Sequence, residues 1–300
     1  MKDIEKLLKD YLDYLEIEKN RLVLTRNNYE RYLRAFFESG KIEKLNHLTL
    51  DKIKDFRLAL ARRNLKKSTQ AYYVIAIRNF LKYLIKEDNE VVSPDKIELP
   101  KISKRQIEIV NTADFERFLN TPKGDDLRSL RDRAILEVFF STGLRLSELC
   151  KLDRYLNLER GEFTVRGKGE KLRTVFLSST AQDAIKKYLS KRSDTLETLF
   201  VSLTKDKENP KVVGPITSRS VQRMVNYYAK KAGVMHKITP HGLRHLFATD
   251  LLMNGADLRS VQELLGHSNI STTQIYTHVT NKHLQDVHRA FHNKNRKNTG

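Results

Sequence analysis

The sequence predicts a mainly helical protein with a small antiparallel β-sheet, an α+β chain built in two modules. Three observations carry this. Apolar residues recur at helical spacing through the first ninety residues. A proline-bearing stretch without period, residues 91–108, interrupts them. Beyond it helical stripes resume around one short region where apolar and polar residues alternate about a glycine turn.

In the first module Ile4, Leu7, Leu8, Tyr11, Leu12 and Leu15 form one stripe. Tyr29, Tyr32, Leu33, Phe36 and Phe37 form a second, which stops at Gly40, a residue suited to a helix end. Thr49 is placed to cap a third helix carrying Ile53, Phe56 and Leu60. Ser68 is placed to cap a fourth, with Tyr73, Ile77, Phe80, Leu81, Leu84 and Ile85 on one side. Four amphipathic helices with short connections predict a small bundle whose aromatic stripes are core. Pro94 and Pro100 then mark a linker that is basic at its end, with Lys101, Lys104 and Arg105. The expected division is a helical module over 1–95, a linker over 96–108 and a second domain over 109–300.

In the second domain Thr112 can cap a helix through Leu119, and Leu130 to Phe140 reads as a strongly apolar helix ended by Gly143. The text LNLERGEFTVRGKGEKLRTVFLSS reads as a meander of about three strands, in which Phe163, Val165, Val175 and Leu177 alternate with polar residues and Gly167 to Gly169 turns the chain. Helices are expected at about 179–190, 217–232, 240–254, 257–265 and 281–291, followed by the polar tail NKNRKNTG.

Composition bounds the partners. The chain has 300 residues, 56 Lys plus Arg against 37 Asp plus Glu, and a formal net charge of +19. At 39% apolar it can bury ordinary cores. A surplus of this size points to a polyanion, most often nucleic acid. The single cysteine, Cys150, excludes an intramolecular disulfide scaffold. No apolar run approaches the length of a membrane span, and the charged N-terminus MKDIEKLLKDYLDYLEIEKN does not read as a signal peptide. A cytoplasmic protein that faces nucleic acid and no membrane is expected.

The charge is patterned. Residues 1–100 hold 21 basic and 16 acidic residues, and residues 101–300 hold 35 and 21, so both modules are positive. Between 52 and 82 stand Lys52, Lys54, Arg57, Arg62, Arg63, Lys66, Lys67, Arg78 and Lys82 with one acid, Asp55. Such a run is usually a solvated face. This one spans a helix end, a turn and the next helix start, where phosphates meet backbone N–H groups and cations together. Residues 211–249, including Arg219 and Arg223, carry seven Lys or Arg and no acid. Both runs are expected to grip phosphates without regard to sequence and to be sensitive to salt.

Several polar residues stand where packing does not ask for them. Arg145, in STGLRLSELC, follows the stop at Gly143 and precedes a cap at Ser147. Alone it would pass for a surface arginine, but Leu144, Leu146 and Leu149 hem it in. Held there, with Glu148 as a candidate holder, its guanidinium suits bidentate phosphate recognition. Lys168, between Gly167 and Gly169, sits either on an ordinary hairpin tip or on one that delivers a lysine to a phosphate or a proton to a leaving group. In TPHGLRHLFATDLL, Pro240 opens a helix with His241 and Arg244 on one face. The i, i+4 spacing of His241 and His245 invites zinc, but no Glu or Cys completes a ligand set, and an anion at a helix N-terminus fits better. In LLGHSNISTTQIYTHV, His267 follows a stop at Gly266 and Tyr276 ends a short helical segment. Two arginines, a lysine, two histidines and a tyrosine, without paired carboxylates or a metal cluster, suit a phosphodiester attacked without a metal cofactor. Arginines would take up charge on the phosphorane, a tyrosine would attack, and a lysine or histidine would move protons.

These segments resemble the tyrosine recombinase family, most closely its Xer-type members, over nearly the whole chain. The family's ordered signature reads here as Arg145 in TGLRLSEL, Lys168 in RGKGEKLR, His241 and Arg244 in HGLRH, His267 in LGHSNISTT and Tyr276 in IYTHV. The resemblance implies a core-type DNA-binding bundle of the SAM-like kind and a catalytic domain, which together form a C-shaped clamp on double-stranded DNA carrying a specific recombination site. It implies that Tyr276 attacks the scissile phosphate, giving a 3′-phosphotyrosine and a free 5′-hydroxyl. Arg145 and Arg244 would bind the non-bridging oxygens and Lys168 would protonate the leaving oxygen. His241 would act as acid and base on the nucleophile, and His267 would bond the phosphate. No cofactor and no ATP are implied. Four protomers, identical or shared with a paralogue, would work through a Holliday junction, with 281–291 docking into a neighbour and a DNA translocase as a possible activator. The plan expected is the simple Xer one, without an additional arm-binding module. Phe176, Gly242 and Asp250 depart from the family's usual residues outside the six positions, and Asp250 is a candidate to tune His245. A type IB topoisomerase and a catalytically silent DNA-binding regulator are the competing readings.

Overall fold

The computed structural model describes residues 3–101, 112–167, 172–206, 209–236 and 238–266. Lys104, Arg105, Lys168, His267, Tyr276 and the segment 281–291 lie outside the described residues. The chain divides into two compact units, Met1–Arg105 and Gln106–Gly300. Among the described residues no helix is long and apolar enough to cross a membrane.

The first unit is built of α1 (Ile4–Ile17), α2 (Val23–Gly40), α3 (Leu50–Arg62) and α4 (Lys67–Lys86). Each lays its apolar stripe into one core, with Leu8, Tyr11, Leu33, Phe36, Phe56, Phe80 and Leu84 among its members. The rings interlock at tilted and edge-on angles, such as Tyr11 on Phe80 at 5.2 Å between centroids and Phe36 on Phe56 at the same distance. Thr49 caps α3 by accepting the N–H of Lys52. Ser68 does not cap α4. That helix starts at Lys67 behind Lys66, whose carbonyl takes the N–H of Gln70, and no side chain caps its first turn. As expected, α2 ends at Gly40, and the left-handed residue just beyond it is Lys41, at φ 48°. A short 3-10 turn, Pro94–Lys96, follows α4, and Ile97 beyond it is buried in the same core.

The second unit contains α5 (Thr112–Leu119), α6 (Leu127–Thr142), α7 (Leu146–Leu149), α8 (Ser179–Ser190), α9 (Ser218–Lys231), α10 (Pro240–Met253) and α11 (Leu258–Leu265). At its centre α6 packs on α8 and α10. It is buried on nearly all sides, and with its apolar residues it takes Arg131, Asp132 and Glu137 into the interior. It begins at Leu127, earlier than its apolar residues suggest, because the Asp126 carboxylate accepts the N–H groups of Arg128 and Ser129.

The sheet is smaller and more divided than the expected three-stranded meander. Strand β1 (Glu162–Arg166) pairs antiparallel with β2 (Leu172–Phe176), Val165 opposite Arg173 and Phe163 opposite Val175. The preceding LNLE segment is turn, because Asp153 accepts the N–H of Tyr155 and Asn157 that of Arg160, side-chain bonds that compete with strand pairing. A separate hairpin joins β3 (Val201–Leu203) to β4 (Val212–Pro215), with an irregularity between Ser202 and Leu203.

Candidate active site

The site begins where α6 stops. Gly143 takes the left-handed conformation, φ 58°, and returns its N–H to Phe139. A Cβ on Gly143 would lie 2.4 Å from Cδ1 of Phe247, so glycine is required both by the turn and by the close approach of α10. This turn delivers Arg145. Ser147 is not the cap of the next helix. Arg145 stands at that position, and Glu148 reaches back to accept its N–H at 2.8 Å.

The side chains converge from several elements. Arg145 Nη1 donates to Glu148 Oε1 at 2.8 Å and Nη2 to the carbonyl of Gly266 at 3.0 Å. Arg244, buried on α10, donates to the Gly143 carbonyl at 2.6 Å and to the Leu265 carbonyl. Arg173, on β2, grips both oxygens of Glu148 at 2.9 and 2.7 Å and the Leu264 carbonyl at 3.1 Å. The last carbonyls of α11 therefore each receive one arginine, which satisfies groups a helix end leaves unpaired and complements its dipole. Burial works to raise the Glu148 carboxyl. Its bonds to Arg173 and to the Arg145 N–H and guanidinium outweigh that and hold it at about 2.

Thr239 caps α10 through the N–H of Gly242, and Pro240 fills its first turn. His241 projects from this N-terminus and meets His245, Nε2 to Nε2, at 2.9 Å with the rings nearly perpendicular. One ring donates and the other accepts. Desolvation, then the charges of Arg244 and Arg145, lower the His241 pKa, so its neutral form is favoured. A Cβ at position 242 would make only an ordinary contact with Thr239, so space does not demand Gly242. Asp250 does not tune His245 through any bond described; its carboxylate accepts from Asn254. Among the described residues no group of three or more His, Cys, Asp or Glu is arranged to hold a metal ion.

Arg145, His241 and Arg244 thus line one open pocket of about 600 Å³, whose opposite wall carries Ser218, Gln222 and Asn226 of α9. Those three recur every fourth residue, a polar stripe that a helical count from Ser218 reveals. Arg219 and Arg223, exposed, follow the first two along the same helix. In the first unit Arg62, Arg63, Lys66 and Lys67 are exposed around the α3–α4 turn, and Lys52 is half-buried. Lys54 pairs with Asp51 at 3.4 Å. Arg78 departs from the expected set. It donates to the Ile97 carbonyl at 3.0 Å and pairs with Asp95, so it fastens the segment after α4. Arg173 escaped the sequence reading, although its signal was there: it shares with Val175 the inward side of an alternating strand, where a charge is out of place.

Comparison with known proteins agrees with this geometry. The Phage integrase family matches residues 108–283, and its N-terminal SAM-like domain matches residues 8–88. Tyrosine recombinase XerC of Natranaerobius thermophilus is 38% identical, over 95% of this chain and 98% of that relative. Tyrosine recombinase XerD of Listeria monocytogenes serotype 4b is 38% identical over the same shares. The crystal structure of XerH bound to palindromic difH substrate, a post-cleavage complex, is 25% identical, covers 93% of this chain and 82% of that one, and superposes with a TM-score of 0.70. A lambda integrase dimer bound to a core site, 17% identical, matches in fold with a TM-score of 0.70 over 89% of this chain and 96% of that one. An integrase fold around an arginine-lined pocket defines the class. The chain belongs to the phage integrase family, the tyrosine recombinases, and within it to the Xer type: it is a tyrosine site-specific recombinase.

Proposed function

We propose that the chain cleaves and rejoins double-stranded DNA at a specific site through a covalent 3′-phosphotyrosine on Tyr276. The observation that carries the assignment of roles is the convergence of Arg145 and Arg244 on one pocket with His241 at a helix N-terminus. There, two guanidiniums and the positive end of α10 can meet a phosphate. They act as the charge on the phosphorane grows, so they lower the barrier more than they tighten binding. The neutral form of His241 suits a group that accepts the Tyr276 proton and returns it. Lys168 protonates the leaving 5′-oxygen and His267 bonds the phosphate. The 5′-hydroxyl of a partner strand then attacks the phosphotyrosine. One phosphodiester is exchanged for another with bond energy conserved.

In the same reading residues 1–95 are the core-type DNA-binding domain, 96–108 the linker and 109–300 the catalytic domain. The exposed basic turn between α3 and α4, where α4 has no side-chain cap, supports phosphate contact by Arg62, Arg63, Lys66 and Lys67, with Lys52 and Lys54 at the other end of α3 as further contacts. Arg219 and Arg223 do the same beside the pocket. Four protomers, of this chain alone or with a paralogue, act on two sites through a Holliday junction in the cytoplasm, and 281–291 links neighbours.

The test is covalent trapping on nicked duplexes made from genomic sites the protein binds. Wild type is expected to form a protein–DNA adduct that survives denaturation, and Tyr276→Phe to form none while still binding. An adduct that persists in Tyr276→Phe would overturn the assignment of the nucleophile.

A further inference from the structure

We infer that Arg173 is a positioning residue of the recombination site, which sets Arg145 through Glu148 and fixes the end of α11 from which the chain runs on to His267. The inference rests on the reading above that Arg145 meets the scissile phosphate.

Its geometry is that of a joint between three elements. Arg173 lies on β2, its side chain 7% exposed. Each oxygen of Glu148 receives one hydrogen bond from Arg145 and one from Arg173: Oε1 from the two Nη1 groups, Oε2 from the Arg145 backbone N–H and Arg173 Nη2. The carboxylate is thus held in a plane by two opposed pairs of donors. Without Arg173 it keeps only the Arg145 pair and can swing with it. The remaining donor, Arg173 Nε, reaches the Leu264 carbonyl, beside the carbonyls that Arg244 and Arg145 take. Gly266 closes over the same side chain. A Cβ there would stand 2.9 Å from Arg173 Cδ, and its φ of 62° belongs to glycine.

The electrostatics point the same way. Glu148 pairs with Arg145 from the segment before α7 and with Arg173 from β2, and on α10 the charge of Arg244, like that of Arg145, acts on the neighbouring His241. Three guanidiniums against one carboxylate leave a net positive site for a phosphate. Arginine is needed rather than lysine because a planar fork grips both carboxylate oxygens and keeps Nε for the helix end. Burying such an ion pair adds little net stability, so its value lies in orientation. A misplacement of about 1 Å in a reacting group can cost on the order of 100-fold in rate.

The test compares Arg173→Gln and Arg173→Lys with wild type on the nicked duplex that wild type cleaves. R173Q is expected to bind within about threefold of wild type and to cleave, once saturated, about 100-fold more slowly. It should also gain an acid limb in its pH–rate profile, because Glu148 then titrates nearer 4.5 than 2. R173K is expected to keep the wild-type acid side and recover part of the rate. R173Q cleaving within about twofold of wild type, losing affinity as steeply as rate, or keeping the wild-type pH profile would overturn the inference. Where R173Q does not fold, R173K decides: cleavage at the wild-type rate overturns it. If wild type cleaves no DNA tried, the proposed function fails, and Glu148 itself decides the inference. Followed by carboxyl ¹³C NMR between about pH 3 and 7, it should be silent in wild type and titrate in R173Q. Silence in both would overturn the inference.

Discussion

The two units bury different kinds of residue. Among the described residues the first unit buries one polar side chain, Asn89, inside a core of Leu, Ile, Phe and Tyr. The second buries Arg131, Asp132, Glu137, Glu148, Arg192 and Arg244. In the first unit charge stays outside, so the interior is set by hydrophobic burial and ring packing and its basic residues serve as surface. In the second, charge has been drawn inward and most of it is bonded: Arg131 and Tyr228 hold Asp132, Arg192 clamps the loop at Asp194, and the arginines of the pocket hold Glu148 and the end of α11. Ion pairs of this kind cost desolvation and return orientation. On the proposed function, the difference separates a unit that grips from a unit that must hold guanidiniums still while charge develops on a phosphate.

The strongest way to break that contrast is to remove the guanidiniums of the pocket. Arg145→Ala and Arg244→Ala are expected to bind DNA nearly as well as wild type and to cleave about 1,000-fold more slowly in single turnover, the scale of losing a donor to a developing anion. A fall in affinity as large as the fall in rate would mean that these arginines only grip, the role proposed for the first unit's cations.

Next in size is the buried carboxylate. Glu148→Gln leaves Arg145 and Arg173 without their anion and is expected to cost about 3 kcal/mol of unfolding free energy, measured in urea. The pH dependence follows from the shift. The Glu148 carboxyl lies at about 2 in the fold against an ordinary 4.5. A carboxyl lowered by folding contributes stability above its unfolded value and loses it as pH falls through the folded one. Wild type should therefore lose part of its stability from about pH 4.5 downward, and E148Q should show a shallower loss over the same interval. Equal slopes would remove Glu148 from the account.

The contrast also explains what could be read from the residues alone. The first bundle was legible because its four helices obey one rule, apolar at helical spacing, and Tyr11, Phe36 and Phe80 fall where that rule puts them. The turn at Gly143 and the Thr239–Pro240 start of α10 were legible because each depends on local backbone chemistry. Ser147 and Ser68 misled because a good capping residue near a helix start is not always the one used: Glu148 reaches back to Arg145, and α4 starts one residue before Ser68. The β3–β4 hairpin was hidden because strands of three and four residues with Gly214 and Pro215 show almost no alternation. Arg173 was hidden for a different reason. The alternation of β2 marks it as inward-facing, but its partners, Glu148 and Leu264, come from distant parts of the chain, and that alternation does not say which groups it meets.

The smallest expected effect lies on the first unit's surface. Arg62 and Lys66 are exposed on either side of the α3–α4 turn, and no hydrogen bond or ion pair described for them would have to break to reach a phosphate. If each neutralises one phosphate, its replacement by alanine should lower the slope of log affinity against log salt by about 0.9 and weaken all DNA sequences alike. The pair Arg62→Ala and Lys66→Ala should then shift the slope about twice as far as either alone, since exposed contacts without shared partners add. Arg78 is the internal control. Its guanidinium already holds Ile97 and Asp95, so Arg78→Ala should lower the melting temperature and leave the salt slope nearly as it was. A change of slope in Arg78→Ala as large as in Arg62→Ala would show that binding frees Arg78 for DNA, and the boundary between packing and gripping would have to be redrawn within this one unit.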